Sequence, residues 1–266
     1  MSKIFISVDL EGITDVISWD ETMGTSTDYQ YFRKLMTLET NAAIEGVLEA
    51  GATDIIIRDA HGNARNIIPD LLHKQTRLIR EWSTGPYGMM EGIDESFDAV
   101  LCIGYHAKAN TENATLKHTM SGVISDLKLN GVSLPELGWN ALIAGYHNVP
   151  IIFVSGDKAI CDQASSLIPG IEVVAVKEGI GKASINLHPA TAQELIKQGA
   201  CKALKHIKQH LPYKLSPPFK MELSFKGEDK AFRASWYPNT ERIDELTVSF
   251  VTDNFFECMR FFTFSY

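Results

Sequence analysis

Two carboxylates lie two residues apart where the first apolar segment of the chain ends. The apolar residues 4–6 (IFI) lead into residues 7–12 (SVDLEG), which contain Asp9 and Glu11. Side chains at positions i and i+2 of a β-strand point to the same face of a sheet. Asp9 and Glu11 can therefore converge on one point, where two anionic oxygens require a bound cation or a shared proton.

Two later apolar runs end in histidine. Residues 55–61 (IIIRDAH) end at His61, and residues 99–106 (AVLCIGYH) end at His106. Because ligands bind at the carboxyl ends of the strands in an open α/β sheet, we expect these side chains to meet the two carboxylates. Carboxylates and imidazoles suit zinc and other first-row divalent ions, and a carboxylate can bridge a pair of them. Asp59 is expected to orient an imidazole rather than to bind metal.

A histidine and a glutamate further along the chain are weaker candidates. His118 lies in a polar segment after the third apolar run, where a histidine can do acid–base or nucleophilic work or can be merely exposed to solvent. Glu136 follows Pro135 at a predicted helix start. The residues alone favour a carboxylate that stabilises the helix N-terminus over a metal ligand at this position.

The elements that must position these residues alternate along the first two-thirds of the chain. Short β-rich runs separated by helical patterns predict an α/β fold, with an open, mainly parallel sheet flanked by helices. The predicted strands lie near residues 3–9, 54–59, 98–104, 149–155 and 171–177, and the predicted helices lie near residues 28–50, 135–147 and 157–168.

The pattern changes near residue 183, which predicts two domains. Residues 1–182 are expected to form the metal-binding catalytic α/β domain, and residues 183–266 a smaller C-terminal α+β domain. The second part is predicted to contain a helix near 190–209, a proline-rich connector at 211–218, strands at 221–225 and 246–251, and a last helix after Asp253.

Composition excludes several classes of function. The chain has 266 residues, of which 45% are hydrophobic, and 25 basic against 33 acidic residues give a net charge of −8. The sequence contains no basic stripe of the kind that would indicate a nucleic-acid partner. No apolar run reaches the length of a membrane span, and no nucleotide-binding glycine motif follows a predicted strand. Widely spaced cysteines and no export signal predict reduced thiols in the cytoplasm. These cysteines are Cys102, Cys161, Cys201 and Cys258.

Over about residues 3–182, the sequence resembles the zinc-dependent D-aminopeptidases of peptidase family M55. The resemblance begins with SVDLEG and continues in the same order and spacing through the later motifs. These are DAH (59–61), GYHA (104–107), KHTM (117–120), ELGWNA (136–141), AGY (144–146), VP (149–150) and SGD (155–157).

The resemblance implies a site with two zinc ions per chain, bridged by Asp9. The resemblance also implies that Glu136 is a metal ligand and not a helix-capping carboxylate. His118 matches the position of the catalytic nucleophile or base. The remaining implied ligands are Glu11 and His106 on one side, and His61 and Glu136 on the other.

The resemblance further implies release of N-terminal D-amino acids from short peptides by a self-compartmentalised homodecamer of two stacked pentamers. An aromatic cluster near the C-terminus is expected to form either an interface or a plain core helix. It comprises Phe255, Phe256, Phe261, Phe262 and Phe264.

The function predicted is therefore that of a metal-dependent aminopeptidase. One alternative is another di-metal hydrolase, acting on a phosphoester or a cyclic amide. A phosphate substrate would favour a basic clamp, for which only Arg58, Lys108 and Lys117 are close in sequence. The second alternative is a non-catalytic protein that binds a small molecule and no transition metal.

Overall fold

The computed structural model describes residues 2–266, which fold around two β-sheets and six α-helices. Elements are numbered along the chain. They are β1 (Ser2–Val8), α1 (Tyr29–Glu49), β2 (Ala52–Asp59), β3 (Arg77–Ile79), β4 (Ala99–Tyr105), β5 (Ile124–Leu129), β6 (Val132–Ser133), α2 (Glu136–Tyr146), β7 (Ile151–Asp157), α3 (Lys158–Leu167), β8 (Glu172–Ile180), β9 (Ala183–Asn186), α4 (Pro189–Lys205), β10 (Phe219–Phe225), α5 (Glu228–Ala234), β11 (Thr240–Arg242), β12 (Thr247–Thr252) and α6 (Phe255–Ser265).

The larger sheet has seven strands in the order β3-β2-β1-β4-β7-β8-β9. All neighbouring pairs in it are parallel except the hairpin of β8 and β9. In register, Val8 of β1 lies beside Asp59 of β2 and Ile103 of β4. The carboxyl ends of these three strands are therefore level, and the residues that follow them emerge at one edge. The predicted α/β class with a mainly parallel sheet is confirmed.

Both faces of this sheet are covered, which explains why its central strands are continuously apolar. Successive residues of β1 alternate between two cores: Ile4 and Ile6 face the core formed with α1 and α4, whereas Phe5 faces the core formed with α2 and α3. The predicted helix near 190–209 is observed as α4, which packs on α1 against the parallel sheet.

The smaller sheet is antiparallel, with the order β11-β12-β10-β5-β6. Its strand β10 pairs with β5, which lies about a hundred residues earlier in the chain. The two sheets therefore do not divide the chain at residue 182, because β5 and β6 belong to the second sheet and β9 to the first. The division into two domains stays a prediction.

The C-terminal aromatic cluster lies mainly in the core. Phe255, Phe261 and Phe262 of α6 are buried, whereas Phe264 is 66% exposed. A plain core helix therefore describes most of the cluster. All four cysteines are free and buried. Within residues 2–266, no helix combines the length and the hydropathy needed to cross a membrane.

Candidate metal centre

Six predicted site residues meet at the carboxyl edge of the parallel sheet. Their ligand atoms fall into three overlapping groups, and within each group all atoms lie within 4.8 Å of one another. Four of the residues follow β1, β2 and β4, as the sequence predicts. The other two are His118, from the loop between β4 and β5, and Glu136, the first residue of α2. The groups are Asp9–Glu11–His61, Asp9–His106–Glu136 and Glu11–His106–His118.

The loop after β1 is held close to β4 by backbone contacts. The amide of Asp9 donates to the carbonyl of Ile103, and the amide of Gly12 donates to the carbonyl of Gly104, each at 2.8 Å. A Cβ atom at Gly12 would lie 1.8 Å from the carbonyl oxygen of Tyr105. Only glycine fits at this position, which explains the glycine that ends SVDLEG and keeps both carboxylates directed at the site.

The first group surrounds His61. Its Nε2 lies 3.0 Å from the carbonyl oxygen of Thr22, which can only accept, so Nε2 carries the proton. Its Nδ1 faces Glu11 Oε2 at 2.8 Å and Asp9 Oδ1 at 3.3 Å. Burial opposes protonation of the ring, but these carboxylates outweigh it and raise the pKa of His61 well above its usual range. An imidazole whose second nitrogen donates to a carbonyl is the arrangement found in metal-binding histidines.

The second group surrounds His106, whose two ring nitrogens have exchanged roles: Nδ1 contacts a backbone carbonyl and Nε2 faces the carboxylates. Nδ1 lies 2.9 Å from the carbonyl of Ala107, and the buried Nε2 has no hydrogen-bond partner. Nε2 instead faces Glu136 Oε1 at 3.4 Å and Asp9 Oδ2 at 3.5 Å. A buried imidazole nitrogen opposite two carboxylate oxygens is a place for positive charge, supplied by a proton or by a metal ion between them.

Asp9 takes part in both groups through different oxygens. Oδ1 faces His61 and Oδ2 faces His106. The structure groups Glu11 with His61 and also with His106, and it groups Glu136 with His106. The pairing of Glu11 with His106 that the family resemblance implies is thus among these groups, whereas none of them unites His61 with Glu136, and the division of the ligands between two ions stays a prediction.

His118 lies over the cluster and faces the cavity. Its Nδ1 contacts the carbonyl of Leu116 at 2.9 Å, which leaves Nε2 unprotonated, 3.4 Å from Glu136 Oε1 and 3.9 Å from Glu11 Oε1. Its ring stacks on His106 with centroids 4.1 Å apart, and the edge of Trp19 packs against it. His118 is thus the more accessible of the two stacked imidazoles.

The pKa values at the site reflect three converging carboxylates. Burial and the charge of Glu11 raise the pKa of Asp9 well above its usual range. For His106, burial opposes protonation, but the charges of Glu136 and Asp9 outweigh it and raise the pKa to about 10. Burial and the neighbouring His106 lower the pKa of His118, which favours its neutral form. The three carboxylates therefore favour positive charge at the centre, which bound divalent cations would supply in place of protons.

Asp59 does not orient the His61 imidazole, contrary to the expectation from sequence. Its two oxygens accept hydrogen bonds from the backbone amides of Asn66 and Ile67, at 2.6 and 2.7 Å, and from the Asn66 side chain. Asn66 in turn donates to the carbonyl of His61 at 2.7 Å. Asp59 therefore fixes the loop that follows β2, and the imidazole is oriented by the carbonyl of Thr22.

Sequence reasoning also missed a buried lysine beside the centre. Lys177 of β8 is 3% exposed, and its Nζ donates to the carbonyls of Glu11, Ile13 and Val16. Burial lowers its pKa to about 8. Lys177 thus clamps the loop that carries Glu11. The sequence signal is a lysine that directly follows the apolar residues 173–176 (VVAV) of β8.

Asp157, at the end of β7, fixes the loop of His106. Its Oδ2 accepts from the amide of Ala107 at 2.9 Å, while its Oδ1 caps α3 through the amide of Ile160 at 2.7 Å. The sequence marks Asp157 only as part of the SGD motif. Both loop clamps come from strands distant in sequence from the ligands that they support.

A cavity of about 1010 Å³ opens over the cluster and is lined by five of its six residues, His106 lying behind them. The remaining lining residues are neutral, with aromatic side chains from the loops after β1 and β3 and from α6. Carboxylates and histidines at the carboxyl edge of a parallel sheet, beneath an accessible cavity, define the class of metal-dependent hydrolases.

The chain belongs to peptidase family M55: the family model, described as D-aminopeptidase, matches residues 2–264. A D-aminopeptidase of Bacillus subtilis (strain 168) is 33% identical over 261 residues, covering 96% of this chain and 93% of the relative. The fold is similar to that of the Zn-dependent D-aminopeptidase DppA from Bacillus subtilis, a self-compartmentalizing protease. That comparison gives a TM-score of 0.94 at 30% identity and covers 98% of this chain and 95% of the other. The protein is therefore a hydrolase of the aminopeptidase type.

Proposed function

We propose that this protein releases N-terminal D-amino acids from short peptides at a centre of two zinc ions. The observation that carries the proposal is the position of Asp9, whose two oxygens face two different histidine–carboxylate groups. One zinc would be held by Asp9, Glu11 and His61, and the other by Asp9, His106 and Glu136. Zinc, rather than another divalent ion, is supported by the Zn-dependent DppA relative and by the mixed oxygen and nitrogen ligands.

A pair of bound zinc ions supplies Lewis acidity, which lowers the pKa of bound water toward neutrality and polarises the scissile carbonyl. The chain's own residues supply the rest. His118 exposes an unprotonated Nε2 to the cavity, while its Nδ1 is fixed by the carbonyl of Leu116. Nε2 is therefore the atom that takes a proton during attack and delivers it to the leaving amine. Direct nucleophilic attack by the same nitrogen is the alternative use of this geometry.

Outside the metal centre, the side chains that line the cavity are uncharged. Among the described residues that line it, none is a lysine or an arginine. A phosphoester substrate would need such a clamp, so this observation favours a peptide over a phosphoester. The buried Nε2 of His106, which faces two carboxylates and has no hydrogen-bond partner, supports a bound metal over a small-molecule binding protein without a transition metal.

The test combines metal content with stereochemistry. The purified protein is analysed for bound metal, and a panel of dipeptides with matched L- or D-residues at the N-terminus is assayed. We expect two zinc equivalents per chain and cleavage of the D-series alone. A protein with no transition metal would support the binding-protein alternative, and equal cleavage of both series would refute the preference for D-residues.

We also propose that the chain assembles into a homodecamer of two stacked pentamers in the cytoplasm. The self-compartmentalizing DppA relative supports the assembly, and four free, buried thiols agree with a reducing compartment. Light scattering should give a mass of ten chains of 29.6 kDa each. A monomer with full activity would refute the assembly and would leave the proposed chemistry unaffected.

A further inference from the structure

The charge in the substrate cavity is confined to the metal centre. Every aspartate, glutamate and histidine that lines it belongs to that centre, and the other lining side chains are neutral. The neutral lining includes an aromatic wall, formed by Trp82, Tyr87, Trp139, Phe262 and Tyr266. A substrate that enters this cavity therefore meets both the cation ligands and aromatic rings.

Three arginines that lie near residues of the cavity are engaged elsewhere. Arg58 is buried behind Trp82, and its Nη1 donates to the carbonyl of Glu81 at 2.7 Å. Arg65 pairs with the Glu81 carboxylate at 3.3 Å, and Arg33 donates to the carbonyl of Asn66 at 2.7 Å. None of the three arginines lines the cavity. The cavity thus presents no cationic side chain to a carboxylate of the substrate.

Trp82 is held rigidly in the wall, next to the loop of His61. Its indole Nε1 donates to the carbonyl of Gly62 at 2.7 Å, and the guanidinium of Arg58 lies 4.5 Å from its ring centroid. Arg58 Nε and Nη2 have no hydrogen-bond partner, so the stacking on Trp82 is a main stabilising contact of this buried cation. A ring fixed from behind in this way offers an apolar surface that needs little ordering when a ligand binds.

We propose that the cavity binds its peptide through apolar contact with Trp82 and the aromatic wall, without a charge pair to the peptide's C-terminal carboxylate. The proposal rests on the proposed aminopeptidase function and names its substrate class. The preferred substrates have an apolar side chain in the part of the peptide that reaches the wall. The negative charge of their C-terminal carboxylate does not contribute to binding, so peptide amides are cleaved as efficiently as the free acids.

The first experiment isolates the carboxylate. D-alanyl-D-leucine and its C-terminal amide are compared by kcat/KM on the zinc-loaded protein. An enzyme that binds the carboxylate with a cationic side chain would lose a charge-assisted hydrogen bond with the amide, and its kcat/KM would fall about tenfold or more. For this protein we expect the kcat/KM values of acid and amide to agree within about threefold. A preference of about tenfold or more for the free acid would overturn the proposal.

The second experiment isolates the wall. Trp82→Ala should raise KM for D-alanyl-D-leucine about tenfold, with a much smaller change for D-alanylglycine and with unchanged metal content. Trp82→Phe should restore most of the loss. The matched control is Trp236→Ala, which removes a 75% exposed ring next to α5. An equal effect of Trp82→Ala on both peptides, or none on either, would contradict the role of Trp82.

Failure of this proposal is distinguishable from failure of the proposed function. Cleavage of the free acid alone would leave an aminopeptidase with a carboxylate clamp. If neither peptide were cleaved, the aminopeptidase function would fail, and calorimetric titration with the same two peptides would still decide the binding mode. Equal Kd values for acid and amide support the neutral cavity, and a Kd about tenfold lower for the acid overturns it.

Discussion

The two sheets of this protein bury different kinds of side chain. At its carboxyl edge and beside α1, the parallel sheet buries Asp9, Glu11, Glu39 and Lys177. Strand β10 of the antiparallel sheet instead alternates buried apolar residues with more exposed positions. Because burying a charge is costly unless it is paired, the parallel region accepts a loss of stability that the antiparallel region avoids. The first region holds the chemistry, and the second contributes neutral lining of the cavity, through Phe262 of α6 and Tyr266, which follows the helix.

The largest effect should follow from removing the carboxylate that both ligand groups share. Asp9→Ala takes a ligand from two ions at once, so we expect loss of both metals and activity below about a thousandth of wild type. The fold should persist, because the core strands keep their contacts. Elemental analysis and circular dichroism provide the measurements, and Asp244→Ala, in an exposed turn of the second sheet, is the control. Two retained metal equivalents would refute the bridging role.

A smaller loss should separate proton transfer from metal binding within the same cluster. His118→Ala removes the exposed Nε2, and we expect kcat to fall about 10²- to 10⁴-fold with the metal content unchanged. His61→Ala and His106→Ala should lose metal as well as activity. If His118→Ala also released metal, His118 would be a ligand, in agreement with its place in the third group.

Lys177 tests whether a residue outside the cluster supports it. Lys177→Met removes the donor to three carbonyls of the loop after β1, and we expect zinc affinity to fall about 10- to 100-fold. The control Thr14→Val removes a different contact of this loop, the 2.7 Å bond from Thr14 Oγ1 to the carbonyl of Leu187. Competition with a chelator measures both variants. Equal losses in the two variants would reduce Lys177 to a general structural role.

The smallest expected effect is on stability and depends on pH. Burial raises the pKa of Glu39 to about 8, although its Oε1 accepts from the amide of Thr14 at 3.0 Å. Because the folded pKa lies above the unfolded one, the stability linked to protonation is present below the unfolded pKa and is lost as pH rises toward 8.

Glu39→Gln should therefore match wild type in stability near pH 5 and exceed it by more than about 1 kcal/mol near pH 9. Urea unfolding at the two pH values measures the difference. The control is Glu45→Gln on the exposed side of α1, for which no such pH-dependent gain is expected. A gain that is independent of pH would contradict a titrating Glu39.

The convergence of Asp9, Glu11, His61 and His106 could be predicted because it depends on a local rule. Each follows an apolar strand, and parallel strands end at one edge of a sheet. His118 and Glu136 could not be assigned from such a rule, since both reach the site through tertiary packing. From the residues alone, acid–base work was one of two open interpretations for His118 and a ligand role was disfavoured for Glu136; the family resemblance implied both roles, and they stay predictions.

The contacts that support the site were beyond prediction for a related reason. Lys177 lies more than 160 residues from the carbonyls that it binds, and the carbonyl of Thr22 lies 39 residues from His61. No spacing in the sequence signals such backbone acceptors. The same holds for β5, which pairs with β10 about a hundred residues later and with β6 on its other side.

The pairing of β5 with β10 sets the order in which the centre can be completed during synthesis. His118 precedes β5 and Glu136 follows β6, so both flank a hairpin whose partner strand, Phe219–Phe225, emerges from the ribosome much later. A nascent chain can assemble the parallel sheet and the first ligand group before then. We expect the second group and the proton-transferring histidine to take their places only after β10 has docked. The hydrolytic centre would then be complete only when most of the chain has been synthesised.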